Sequence, residues 1–224
     1  MCLRLGGLKI SRNETTTAAT NWTAYYTTTP FTAKLTRRYT SSVLIAALRK
    51  YSPNLESIVE FGGANSCFLE RIFRELNPRE YHVVDTNRYG LDLLRKRLSA
   101  ERNVKLHNAS ALEYVSSKSA DVVFSVGLIE HFDPAGTEAM IKAHFEALRP
   151  DGCAIISFPT PTWLYRAART LTEAVGLWKF PDERPLSRSE VIKTARKLGD
   201  IVFEKTLWPL VFTQHLLVIR KAAH

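Results

Sequence analysis

From residue 57 onward, short runs rich in β-branched and apolar residues recur along the chain. They lie at Ser57–Phe61, Tyr81–Asp85, Val104–His107, Asp121–Ser125, Cys153–Phe158, Ile201–Lys205 and His215–Arg220. Segments whose apolar positions repeat at helical spacing follow most of them, at Ser66–Leu76, Leu91–Leu98, Thr137–Leu148 and Ser189–Leu198. Nearly continuous apolar strands need both faces covered, so strands alternating with helices predict right-handed βαβ crossovers and a two-sided parallel sheet. The last two runs are separated only by Thr206–Gln214, too short for a helical crossover, which predicts a terminal hairpin and one antiparallel strand. The expected fold is therefore α/β, with a seven-stranded, mostly parallel sheet, an antiparallel C-terminal strand and helices on both faces.

Ahead of the first strand, Thr40 to Lys50 reads as a helix with Ser41 or Ser42 as its cap. Residues 1–20 are rich in Thr and Ala without periodicity and are expected to lie loose. No internal repeat or Pro/Gly/Ser linker interrupts the pattern. The expected division is a partly ordered N-terminal extension, 1–40, and one domain, 41–224, with an insertion at 159–187. That insertion opens with Thr160-Pro161, read as a cap followed by proline at the first helical position. It continues with Leu164, Ala168, Leu171, Val175 and Trp178 at helical spacing, before a capping box, Ser187 to Glu190.

The chain of 224 residues suffices for one sizeable core. The longest unbroken apolar runs are about six residues, as in Val43 to Leu48, against roughly 20 for a membrane span. No signal peptide is evident, and three cysteines without a CxxC fit a reduced, cytoplasmic protein. No His/Cys/Asp spacing suggests a metal site. Net charge is +9, unevenly placed: residues 1–56 carry eight basic and two acidic groups, 57–158 carry 12 and 14, and 159–224 carry 11 and six. Basic flanks around a neutral middle can steer an anionic ligand to a cleft, or simply keep the surface solvated.

Candidate chemistry concentrates where the first strand ends. Glu60-Phe-Gly62-Gly63-Ala64-Asn-Ser66 passes from strand through a Gly-Gly turn into a helix, and Asp85 ends the second strand 23 residues beyond Gly62. An acid at that place can accept hydrogen bonds from both ribose hydroxyls of a nucleoside. A dinucleotide would want G-x-G-x-x-G for its pyrophosphate, but Ala64 and Cys67 occupy the later glycine positions, and Glu60 suits a phosphate-free, cationic cofactor better. The loop resembles motif I of class I S-adenosylmethionine-dependent methyltransferases, with Asp85 matching the acid after strand two. Asn108 to Glu113, Ser125 to Phe132 and Leu148 to Gly152 resemble the segments after strands three and four and the turn before strand five. Within that family the closer likeness is to methyltransferases of bacterial surface-polysaccharide biosynthesis. The resemblance implies a Rossmann-like fold, S-adenosylmethionine as cofactor, and a cofactor site drawn from Tyr25, Glu60, Gly62, Gly63, Ala64, Ser66, Asp85, Thr86, Ala109, Ser110 and Ser125. Ala64, Ser66 and Ser110 depart from the family pattern, which motivates the alternative of a non-catalytic cofactor-binding module.

Transfer to a hydroxyl is aided by a general base, and His131, just beyond the fourth strand, is the first candidate, with Asp133 the second. A role for His131 as plain pocket lining stays open. The pre-core segment interleaves Trp22, Tyr25, Tyr26 and Phe31 with Arg37 and Arg38, and the insertion carries Trp163, Tyr165, Arg166 and Arg169; in this family such segments cover the pocket. The four arginines and the net charge predict a compact anionic acceptor, a small molecule or glycan intermediate methylated on oxygen. An RNA substrate is the alternative that pI 9.6 suggests. Against it, Ser125-Val-Gly-Leu replaces the Pro-Pro-aromatic motif of amino-group base methylases, and no cysteine follows a proline as in base-C5 methylases. The Trp/Leu face of the insertion allows peripheral contact with the inner membrane surface.

Overall fold

The computed structural model describes residues 19–27, 31–98, 103–115, 119–207 and 213–222. Strands β1 (Ser57–Phe61), β2 (Glu80–Asp85), β3 (Val104–Asn108), β4 (Ala120–Val126), β5 (Leu148–Pro159), β6 (Gly199–Leu207) and β7 (Gln214–Lys221) form one sheet in the order β3-β2-β1-β4-β5-β7-β6. The first five run parallel, β7 lies antiparallel to β5, and β6 and β7 pair antiparallel. The expected architecture is thus present. Strand order reverses between β1 and β4, so their C-terminal ends splay into the crevice where open α/β sheets bind ligands.

The period-two alternation of the strands sends residues to two cores. Ile58, Tyr81, Val83 and Phe124 face α2 (Phe31–Tyr51), α3 (Leu69–Leu76) and α4 (Arg88–Arg97), whose Leu48, Ile72 and Leu94 are wholly buried. Val59, Phe61, Val123 and Ile156 face α5 (Pro134–Glu146) and α7 (Arg188–Ala195) through Met140, Ile141 and Val191. Two further helices, α1 (Trp22–Thr27) and α6 (Trp163–Ala174), belong to the flanking segments.

The differences from the sequence pattern are at helix starts. Helix α2 begins at Phe31, so Ser41 and Ser42 are mid-helix and cap nothing; the Ser42 hydroxyl instead donates back to the Arg38 carbonyl, 3.0 Å away. Helix α3 begins at Leu69 rather than Ser66. In α6 the cap is Thr162, which accepts from the Tyr165 amide, so Thr160 and Pro161 precede the helix. The apolar stripe of α6 does not face the core: Tyr165 is its buried residue, whereas Leu171 and Val175 are exposed. Ser187 caps α7 as expected, accepting from the Glu190 amide at 3.2 Å. The segment Leu148–Gly152, expected as a turn, is already part of β5, but Asp151 has φ +61° there and the β4–β5 register shifts between Ala120 and Val122. The expectation for residues 1–18 lies outside the described residues.

Candidate active site

A cavity of about 710 Å³ opens at the C-terminal ends of β1, β2 and β4, within the range of about 300–1,000 Å³ usual for small-molecule sites. Its floor is the turn after β1. Gly62 has φ +74°, which side chains disfavour, and a Cβ on Gly63 would lie 2.5 Å from the Glu60 side chain, so the turn needs glycine at both places. Ser66 serves three groups at once: its hydroxyl donates to Glu60 at 2.9 Å and accepts from the amides of Phe68 and Leu69, satisfying donors at the start of α3. Glu60 also accepts from the Tyr81 hydroxyl at 2.7 Å. Burial nevertheless pushes the Glu60 carboxyl up to about 8, the two hydrogen bonds opposing it.

Asp85 ties the second strand to this turn. One carboxylate oxygen accepts from the Ala64 amide at 3.0 Å and the other from the Asn87 amide at 2.7 Å. Burial raises its pKa, against the pull of those amides. Gly62, Gly63, Ser66, Asp85, Thr86, Ala109 and Ser110 line the cavity, as does Glu60 at its base. Ala64 and Ser125 do not. Ala64 is wholly buried and contributes its amide to Asp85, while Ser125 is wholly buried beneath α5 and bonded to His144 Nε2 at 2.9 Å. Both face the packed interior because their strand or turn positions point away from the cleft.

The two flanking segments meet over the opposite end. From α1 come Trp22, Tyr25 and Tyr26; from the 159–187 insertion come Tyr165, Trp178 and Phe180. Phe180 lies 5.9 Å from Trp22 and 5.2 Å from Tyr25, centroid to centroid, and the Trp22 ring stands edge-on to His131 at 5.0 Å. His131, on a 3₁₀ turn at Ile129–His131, places Nδ1 3.0 Å from Asp182 Oδ1. Asp182 also accepts from the Thr20 amide at 3.0 Å and from the Thr20 hydroxyl. Burial lowers the His131 pKa and Asp182 opposes the fall; burial works to raise Asp182, but the bonds from Thr20 and His131 outweigh it and hold it low.

Glu130, beside the histidine, lines the cavity at 2% exposure, and its Oε2 has no hydrogen-bond partner among the described residues. Burial and then the neighbouring acid Glu183 push its pKa well up, with Asp182 acting the same way. Glu183 accepts from the Tyr165 hydroxyl, and burial raises its pKa too.

Asp133 does not join this group: it caps α5, accepting from the Gly136 amide at 2.7 Å. The expected arginine cluster does not form either. Arg37 lines the cavity and donates to the Tyr25 hydroxyl at 3.0 Å. Arg38 is exposed and does not line it. Arg169 is spent on Glu173 (2.7 Å) and the Glu183 carbonyl (2.8 Å), and with Arg166 borders a separate surface groove behind α6. Trp163, at 75% exposure, points to solvent. Glu130, Asp182, Glu183 and Phe180 are site residues that the sequence pattern did not single out, whereas Trp22 is one of the pre-core aromatics expected over the pocket. The paired acids within Phe-Pro-Asp-Glu-Arg-Pro, enclosed by prolines, are the signal that points to Asp182 and Glu183.

A family model described as a methyltransferase domain matches residues 58–152, which run from β1 into β5 and so include the floor of the cavity. This stretch, somewhat under half of the chain, is similar to a methyltransferase domain. The domain takes S-adenosylmethionine as cofactor, and the glycine cradle with a buried acid at each strand end fits that group. The fold is shared, over 80–87% of this chain, with solved methyltransferases. Magnesium protoporphyrin IX methyltransferase from Synechocystis PCC 6803, solved with S-adenosylhomocysteine, is 14% identical, with TM-score 0.68 over 87% of this chain and 89% of that one. The N-methyltransferase NodS from Bradyrhizobium japonicum WM9 is 12% identical, with TM-score 0.62 over 80% and 84%. An O-methyltransferase family protein from Burkholderia thailandensis is 16% identical, with TM-score 0.64 over 82% of this chain and 57% of that one. No curated protein matches the chain. Among the described residues, no group of three or more His, Cys, Asp or Glu side chains could hold a metal ion.

Proposed function

We propose that the protein methylates a hydroxyl of a small acceptor, a sugar or glycan intermediate, with His131 as the general base. The observation that carries this reading is the His131–Asp182 pair, in which His131 lines the cavity and Asp182, set outside its lining, bonds to the far ring nitrogen. Asp182 engages Nδ1 and so leaves Nε2 as the ring nitrogen for an acceptor hydroxyl, an arrangement that fixes both tautomer and ring orientation. Bound at the Gly-Gly turn, S-adenosylmethionine supplies an electrophilic methyl group. Asp85 would hold the ribose hydroxyls while keeping its own two backbone amides, and Thr86, Ala109 and Ser110 would flank the base. Arg37, which shares the cavity with Ser66 and Cys67, is placed to meet the cofactor's carboxylate rather than the acceptor. Tyr25 and Tyr26 would close over the cationic centre. The anionic acceptor expected from the net charge loses its basis, because three of the four arginines that suggested it lie off the cavity.

Turnover of labelled S-adenosylmethionine on a panel of sugars, beside short RNA, tests the reading. His131→Ala is expected to lower kcat by about 10²–10⁴-fold while leaving cofactor affinity within a few-fold. Turnover within a few-fold of wild type, or preferential methylation of RNA, would sink it.

A further inference from the structure

The acceptor end of the cavity is acidic, and one of its acids is incomplete. Among the acids lining the cavity, Glu60 holds two hydroxyls and Asp85 two backbone amides, whereas Glu130 Oε2 is buried without a partner among the described residues. A buried polar atom left unpaired forfeits its hydration without a replacement, so a fold that keeps one at a cavity wall is most simply completed by the ligand. Glu130 lies in the residue next to the base, and the charged neighbours acting on it are Glu183 and Asp182, both acids. The same cavity is lined by Trp22 and Phe180, 5.9 Å apart, with Trp22 edge-on to His131, rings of the kind that attract a cation. Carboxylates and aromatics together make a receptor for a positively charged nitrogen.

We propose that the acceptor carries a protonated amino group, held by Glu130 and the Trp22 and Phe180 rings, beside the hydroxyl presented to His131. This rests on the reading that the end of the cavity under the flanking segments takes the acceptor. The chemical class is an amino alcohol, an amino sugar in the setting proposed above. Glu183, already accepting from Tyr165, supplies the second negative charge. Arg37 donates to the Tyr25 hydroxyl and stacks over its ring at 5.7 Å, and Lys179 also lines the cavity, so the ammonium is assigned to Glu130 and the Trp22–Phe180 side rather than to Tyr25.

Calorimetric titration of the full-length protein saturated with S-adenosylhomocysteine tests this without requiring turnover. Glucosamine, glucose and glucuronate share a ring and differ in charge. Glucosamine is expected to bind at least tenfold more tightly than glucose, and glucuronate most weakly. In Glu130→Gln the glucosamine-to-glucose ratio should collapse towards one; if that variant does not fold, Glu183→Gln and the wild-type order decide. Equal binding of the three, preference for glucuronate, an unchanged ratio in the variants, or no binding of glucosamine at about 50 mM overturns the proposal. The two readings fail separately. His131→Ala should retain the amine preference, and methylation found on nitrogen would overturn the hydroxyl reading while leaving the amine assignment standing.

Discussion

His131 and Glu60 show how burial and partners divide the work at single residues. A base must be neutral to act, so kcat/KM should rise with pH through the His131 pKa, which burial sets below the ordinary imidazole value. Asp182 favours the imidazolium and thus raises that pKa. Asp182→Asn should therefore move the acidic limb of the pH–rate profile to lower pH, and lower the plateau at least about tenfold because the ring loses its orienter. A limb that stays in place would mean His131 is not the titrating group. Glu60 has the opposite sign. Its folded pKa of about 8 lies above the unfolded one, so its favourable contribution is complete below the ordinary carboxylate pKa and is lost as pH rises towards 8. Glu60→Gln should raise the Tm of the cofactor-free protein by several degrees at pH 8 and hardly at all near pH 4, as thermal melts at the two values will show.

Between residues and the whole molecule, helix starts decide which polar groups are structural. Asp133 was a candidate second base by its place after the fourth strand; as the cap of α5 it is accounted for. Asp133→Ala should cost about 1 kcal/mol of stability, seen in denaturant unfolding, with turnover within about threefold of wild type. A loss of turnover like that of His131→Ala would restore its catalytic role. The strands were legible because runs such as Ser57–Phe61 and Tyr81–Asp85 are short, β-branched and buried on both faces, and the Gly-Gly turn because a Cβ has no room there. Helix caps were less legible. A serine such as Ser42 has the same local chemistry whether it starts a helix or bonds back within one, and only the extent of the preceding turn decides.

At the scale of the molecule, the floor of the site was readable and its roof was not. Glu60, Gly62, Gly63 and Asp85 come from consecutive elements at fixed spacing. Trp22, Phe180 and Asp182 meet only because two flanks on either side of the domain fold back to the same edge of the sheet. Net charge misled for the same reason: it averages over a surface, whereas the cavity collects acids. The roof's outer face leaves Trp163, Leu171 and Val175 exposed on and just after α6. Among the described residues no helix is long and apolar enough to cross a membrane. The protein should sediment with anionic vesicles, and Trp163→Ser should reduce the bound fraction; equal sedimentation of the two would assign that face another role.

The Thr20–Asp182 contact joins residues 162 positions apart, and the same Asp182 steers His131. Loops of that span close late, since their ends gain nothing until the elements between them have already packed. During refolding, sheet and helix signals should thus recover before the base acquires its orienter. Turnover is expected to return after both signals, because it waits on the contact between Thr20 and Asp182.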